Sequence, residues 1–172
     1  RVADKLQTMY ESIKQEIKDS RQIVADETGL KVKGKNFWLW SFVSLTSILF
    51  LIRKSRGQEP IKEALGNYKG KITCDGWTPY TKVVKIIQRC WAHLLREAKW
   101  YAEKYEEQAR IVYESLCKLF RQIKISLGKP REIREKFYKN CIQKMQFYIA
   151  SCKAHKGLRK FAEKLENGLE SW

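Results

Sequence analysis

The sequence predicts an α/β protein: a mixed sheet in the order βββαββ, led by an amphipathic helix and followed by a helical region. Three observations carry this reading. Apolar residues recur at helical gaps before residue 20 and again after residue 90. Between these stretches they alternate, or run in short β-branched and aromatic segments bounded by turn residues. A single stretch opened by Pro60 interrupts the strands with a helical pattern.

Each element follows in order. Val2, Leu6, Met9, Ile13 and Ile17 form one face of a lead-in helix that breaks at Asp19 and Ser20. QIVADET then alternates, with Ile23 and Ala25 facing one way and Val24 and Asp26 the other. Leu30 and Val32 extend this strand, and Lys33-Gly34-Lys35 turns it. Asn36 to Val43 returns as an aromatic strand, whose Trp38, Trp40 and Phe42 share a face that reads as core. Ile48 to Arg53 is the third strand, so the three form an antiparallel meander. A basic loop, RKSRGQEP, leads to the helix through Ile61, Ala64 and Leu65. KITCD (71–75) is the fourth strand, Gly76 to Pro79 a turn, and Val83 to Ile87 the fifth strand. One long helix, broken at most once, is expected from Trp91 to Leu127. LGKP (127–130) bounds it, and helices follow from Arg131 to His155 and after Gly157.

Composition narrows the function. A chain of 172 residues, 44% hydrophobic and 12% aromatic, is large enough for a real core. Its 35 Lys and Arg against 19 Asp and Glu give +16, a charge that attracts polyanions, nucleic acid first. The apolar run from Phe37 to Ile52 is shorter than the ~20 residues of a spanning helix and is interrupted by hydroxyl residues, so no membrane span is expected. The five cysteines are odd in number and lack CxxC spacing, which reads as reduced thiols in a cytoplasm. Cys90 and His93 form a lone CxxH, and a structural zinc site needs four ligands. The chain opens on Arg1 and ends at Trp172 within a helical pattern, so both ends are expected to be cut from something longer.

The chemistry points to Asp26 and Asp75. Each lies at the end of an otherwise apolar strand, where an ionised carboxylate is costly unless paired or bound to metal. A right-handed crossover through the intervening helix brings the fourth strand parallel to and beside the first, about 4.8 Å away. The two carboxylates then project near one edge of the sheet and repel each other, which a divalent cation relieves. Mg²⁺ suits such oxygen ligands together with substrate phosphates. The competing reading is that each Asp merely caps a turn. The βββαβ order favours the pair, because it is the layout of ribonuclease H-like nucleases.

Four ordered motifs then carry a resemblance: IVADETGLKVKGKNFWLWSFVS, IRKSRG, CDGWTPY and QRCWAHLLRE. Together with the preceding YESIKQEIKDS, they resemble the three-acid (DDE) core of insertion-sequence transposases of the IS66 type. The resemblance implies a division into a lead-in helix (1–20), a partial ribonuclease H-like catalytic core (21–97) and a helical insertion region (98–172). It implies DNA strand cleavage and strand transfer, with Asp26 and Asp75 as the first two catalytic acids and ligands of Mg²⁺ or Mn²⁺. The third acid of this family is a Glu in an NN-x-AER-like motif, which the sequence lacks. The chain is therefore expected to stop short of it and to be inactive alone. Glu97 is a candidate substitute, although a solvated or Arg-paired residue is the preferred reading; Glu163, Glu166 and Glu170 read as a wet helical face.

Arg53, Lys54 and Arg56 suit phosphate contacts, with a solvated basic turn as the alternative. His93 and Arg96 are further candidate DNA contacts, and His93 reads equally as a structural histidine. Trp77 and Tyr80 either stack on a flipped base or, as preferred, brace the loop around Asp75. The implied partner is DNA, both element ends and target, with a homo-oligomer in the full-length protein and a cytoplasmic, nucleoid-associated location. One alternative is a catalytically inactive nucleic-acid-binding remnant of a transposase; another is an unrelated basic helical interaction protein.

Overall fold

The computed structural model describes residues 2–105 and 107–172, without the side chains of residues 2 and 3, so Val2 of the expected apolar face lies outside the described side chains. The chain divides into two compact units, Arg1–Arg89 and Cys90–Trp172.

The first unit is built on a five-stranded mixed sheet in the order β3-β2-β1-β4-β5. Helix α1 (Val2–Asp19) leads into β1 (Gln22–Val32), β2 (Lys35–Val43) and β3 (Ile48–Arg53), which pair antiparallel. Lys33 and Gly34, both at positive φ (48° and 76°), make the two-residue turn between β1 and β2. Such a turn matches the twist of the strands it joins. After β3 comes α2 (Glu59–Leu65), with Pro60 in its first turn, and then β4 (Lys71–Cys74). β4 pairs parallel with β1, and β5 (Ile86–Arg89) pairs parallel with β4.

Strand parity decides the core. Ile23, Ala25, Trp40, Phe42, Leu49, Leu51, Ile72 and Cys74 are buried on one face, in a single cluster with Ile17 of α1 and Ile61, Ala64 and Leu65 of α2. The other face exposes Val24, Ile48, Phe50, Ile52 and Ile86. Three expectations are corrected here. Leu6 and Met9 of α1 are exposed, and burial begins with Tyr10, Ile13 and Ile17, because only the C-terminal half of the helix meets the core. The residues after Trp77 form a single helical turn, α3 (Thr78–Thr81), rather than an open turn. That helical turn delays the fifth strand: the Val84 N–H donates to the Tyr80 carbonyl (2.9 Å), so pairing starts at Ile86 instead of Val83.

The second unit is entirely helical: α4 (Trp91–Lys104), α5 (Glu107–Ser126), α6 (Arg131–Ala154), a 3₁₀ turn (Lys156–Leu158) and α7 (Arg159–Asn167). The expected long helix is broken after Lys104, where Tyr105 adopts an extended backbone (φ −121°, ψ 164°). Its core gathers Leu94, Ala98, Val112, Leu116, Leu119, Ile149, Cys152, Phe161 and Leu165. Trp91, Leu94 and Ala98 of α4 belong to this core. Among the described residues, no helix is long and apolar enough to cross a membrane. The five cysteines are free thiols, three of them buried.

Candidate active site

The parallel pairing of β1 with β4 matches Gln22 to Lys71, Ile23 to Ile72 and Val24 to Thr73. Continued for two residues, the same register sets Asp26 opposite Asp75, on the exposed face that carries Val24 and Thr73. Asp75 lies at the carboxyl end of β4, whereas Asp26 is mid-strand, because β1 runs on to Val32 rather than ending near Asp26 as the sequence suggested. Asp26 is still within β1, paired with Ser41 of β2, whose hydroxyl donates to the Asp26 carbonyl (3.2 Å). Its Oδ1 accepts the Glu27 N–H (3.0 Å). Asp75 follows the last residue of β4, and its Oδ1 accepts the Trp77 N–H (2.8 Å). That bond is the local side-chain turn that aspartate favours. Gly76 between them sits at φ +81°, and a Cβ there would meet the Arg89 side chain at 3.0 Å. Glycine is thus required twice over: for the left-handed backbone and for the close approach of Arg89.

Beneath this rim, on the core side of the sheet, lies Glu27. Its side chain is 1% exposed. Tyr80 Oη donates to its Oε2 (2.8 Å), while Arg56 Nε and Nη2 donate to its Oε1 (3.1 and 2.9 Å). Burial raises the Glu27 carboxyl above its ordinary value, the Tyr80 and Arg56 bonds oppose that, and the nearby Asp75 charge adds to it. The Arg56 guanidinium lies 4.6 Å from the ring centroids of both Trp38 and Trp77, a cation–π contact on each. Trp77 Nε1 in turn donates to the Arg56 carbonyl (3.3 Å), and Trp40 Nε1 to the Ser55 carbonyl (3.3 Å). The RKSRG loop and the DGWTPY turn are thereby tied to the middle of β1, at Glu27.

Of the residues singled out from sequence, Asp26, Asp75, Arg56, Trp77 and Tyr80 come together at or under this rim. Tyr80 is fully buried, with its hydroxyl on Glu27, and burial pushes its phenol far above the ordinary range. Arg53 is engaged in a two-point ion pair with Glu63 of α2, through Nε to Oε2 (2.7 Å) and Nη2 to Oε1. Lys54 is exposed. His93, half-buried, and Arg96, exposed, lie on α4 in the other unit. Glu97 is not a free ligand either, since Lys164 of α7 donates to it. Among the described residues, no cluster of three or more His, Cys, Asp or Glu is arranged to hold a metal ion.

Two residues of the rim escaped the sequence reading. Glu27 adjoins Asp26, and strand alternation alone puts it on the core face, where an unpaired carboxylate is untenable. Arg89 ends β5 opposite Cys74, beside Asp75; it is half-buried, and burial lowers its pKa against the charges of Cys74 and Asp75. Its place at the carboxyl end of a parallel strand was the available signal. A separate open groove of about 670 Å³ lies at the other end of β1 and β4, with Lys18, Arg21, Lys69 and Lys71 on its walls.

Comparison with known proteins bears on all of this. A family model described as "Transposase IS66 family" matches residues 1–172. An uncharacterized protein, y4qI of Sinorhizobium fredii (strain NBRC 101917 / NGR234), is 25% identical over 118 aligned positions, covering 54% of this chain and 22% of that protein. The match thus takes in about a fifth of that relative's length. No solved structure matches the chain significantly. With a family match running from its first residue to its last, this chain belongs to the IS66 family of transposases.

Proposed function

We propose that the first unit is the partial catalytic core of a DNA transposase, with a ribonuclease H-like sheet whose Asp26 and Asp75 share divalent metal for strand cleavage and strand transfer. The observation that supports this is the parallel β1–β4 pairing from Gln22–Lys71 to Val24–Thr73, a register that, carried two residues further, would bring the two acids to the same level on one face. The strand order β3-β2-β1-β4-β5, with an antiparallel meander and two parallel strands added at its edge, agrees with that fold.

The donor set fits the ion. Two aspartates on neighbouring strands offer hard oxygen ligands only, with room for water and phosphate, as Mg²⁺ and Mn²⁺ prefer. When bound, such an ion supplies Lewis acidity at the phosphorus under attack. The protein's own contribution is placement. The Asp75 turn is fixed by Gly76 and by the Trp77 N–H, and Arg89 beside it offers a cation toward a phosphate. The family's third acid would come from an AER-like segment that these 172 residues do not contain. This chain alone should therefore bind Mn²⁺ weakly and leave DNA uncut. DNA, as element end and target, is the proposed substrate, and the full-length protein is proposed to act as a homo-oligomer.

Titration with Mn²⁺ followed by electron paramagnetic resonance tests the site. Binding should fall at least tenfold in Asp26→Asn and in Asp75→Asn, each with an unchanged circular dichroism spectrum. Equal binding by wild type and both variants would remove the metal-site reading.

The basic groove between α1 and β4 favours a second reading, a non-catalytic nucleic-acid-binding remnant. DNA affinity that falls steeply with salt but ignores both metal and Asp75→Asn would support it.

A further inference from the structure

Glu27 is a buried carboxylate with no assigned task, and the groups that hold it come from both loops bordering Asp26 and Asp75. From this we infer that Glu27 is the positioning residue of the site: it pins the Asp75 turn and the 53–57 loop to the middle of β1, and so holds Asp75 in reach of a cation shared with Asp26. The inference rests on the metal-site reading given above and deepens it.

One carboxylate oxygen of Glu27 takes the Tyr80 hydroxyl, from the helical turn four residues after Gly76. The other takes two donors from Arg56, in the loop after β3. Glu27 itself is in β1, one residue past Asp26 and pointing to the opposite face. Three segments that are remote in sequence thus converge on one side chain. A buried charge in this position is expensive, and its three donors offset that cost only while both loops stay where they are. The geometry also closes on itself. Arg56 stacks on Trp77, and Trp77 donates one hydrogen bond back to the Arg56 carbonyl and another to Asp75 Oδ1. Through Arg56 and Trp77, Glu27 is therefore three contacts away from the Asp75 carboxylate. An apolar residue could fill the same space, but it could not order these donors. Groups that orient a metal-binding carboxylate without touching the metal change its affinity by roughly 10–100-fold when removed.

The test is the Mn²⁺ dissociation constant of the chain, measured by electron paramagnetic resonance well below the melting temperature. In Glu27→Gln one acceptor becomes an amide donor facing Arg56 or Tyr80, and Mn²⁺ binding should weaken roughly tenfold. Tyr80→Phe removes one donor and keeps the ring, and binding should weaken several-fold in the same direction. A residue that only supported the fold would lower the melting temperature and leave the Mn²⁺ constant of the folded protein unchanged. A folded Glu27→Gln that binds Mn²⁺ like wild type, while Asp75→Asn does not, overturns this inference and spares the metal site. If Glu27→Gln fails to fold, Tyr80→Phe decides in the same way. Indifference of Mn²⁺ binding to Asp75→Asn overturns the site and the inference together.

Discussion

The two units of this chain share the excess of positive charge almost evenly, yet they use charge in opposite ways. The sheet unit buries a carboxylate at 1% exposure and surrounds it with a guanidinium, a phenol and two indoles. In the helical unit Arg131–Glu135 is 84% and 58% exposed, and even Lys164–Glu97 keeps 32% and 31% of its side chains in solvent. That unit's interior is a cluster of aliphatic, aromatic and sulfur side chains. Net charge alone therefore does not locate a functional site in this protein. The proposed site lies instead beside a carboxylate taken out of water, Glu27 of the sheet unit, a penalty that a merely stable fold would avoid.

The contrast makes the helical unit breakable through its apolar core and the sheet unit breakable through a charge as well. The largest effect should come from Leu116→Ala, at a fully buried position of α5. It should cost about 2–5 kcal/mol by chemical denaturation. Arg56→Met should be nearly as damaging, at about 2–3 kcal/mol, because it strands the Glu27 carboxylate with Tyr80 as its remaining listener among the groups described above. Arg131→Ala, which also removes a cation from an ion pair, should cost no more than about 0.5 kcal/mol. Equal costs for these two arginine variants would erase the distinction between the units.

A smaller effect separates surface charge from buried charge within the sheet unit. The Arg53 bond holds the Glu63 carboxyl below its ordinary value. Because folding favours the ionised form, this pair contributes stability above the ordinary carboxylate pKa and loses it as pH falls through the lowered folded value. Both side chains are more than a third exposed, so Glu63→Gln should cost under about 1 kcal/mol at pH 7. The difference should vanish in strong acid; a difference that persisted there would assign the loss to packing.

Much of the fold was legible because its signals are local. Alternation in QIVADET, the Lys33-Gly34 turn and Pro60 at a helix start each follow from neighbouring residues, and β1 to β4 lie close to where they were expected. The fifth strand was displaced because Val83 and Val84 look like strand residues but are consumed by the turn that Tyr80 organises. The break at Tyr105 had no glycine or proline to announce it. At the rim, the proposed acids Asp26 and Asp75 stood out in sequence as carboxylates in apolar strands, although β1 runs on past Asp26. Glu27 was not, although parity put it on the core face, because its partners Arg56 and Tyr80 lie 29 and 53 residues away. For the same reason Arg56 and Arg53 read as phosphate contacts. Their carboxylate partners, Glu27 and Glu63, become visible only once the chain is folded.

The central claim is that Asp26 and Asp75 hold one cation between them. Crystals of the chain soaked in Mn²⁺ and measured at the manganese edge test it most directly. The account predicts an anomalous peak within about 2.5 Å of a carboxylate oxygen of each residue, a typical span for such ligands. Manganese found only elsewhere, with the two aspartates facing apart, would contradict it.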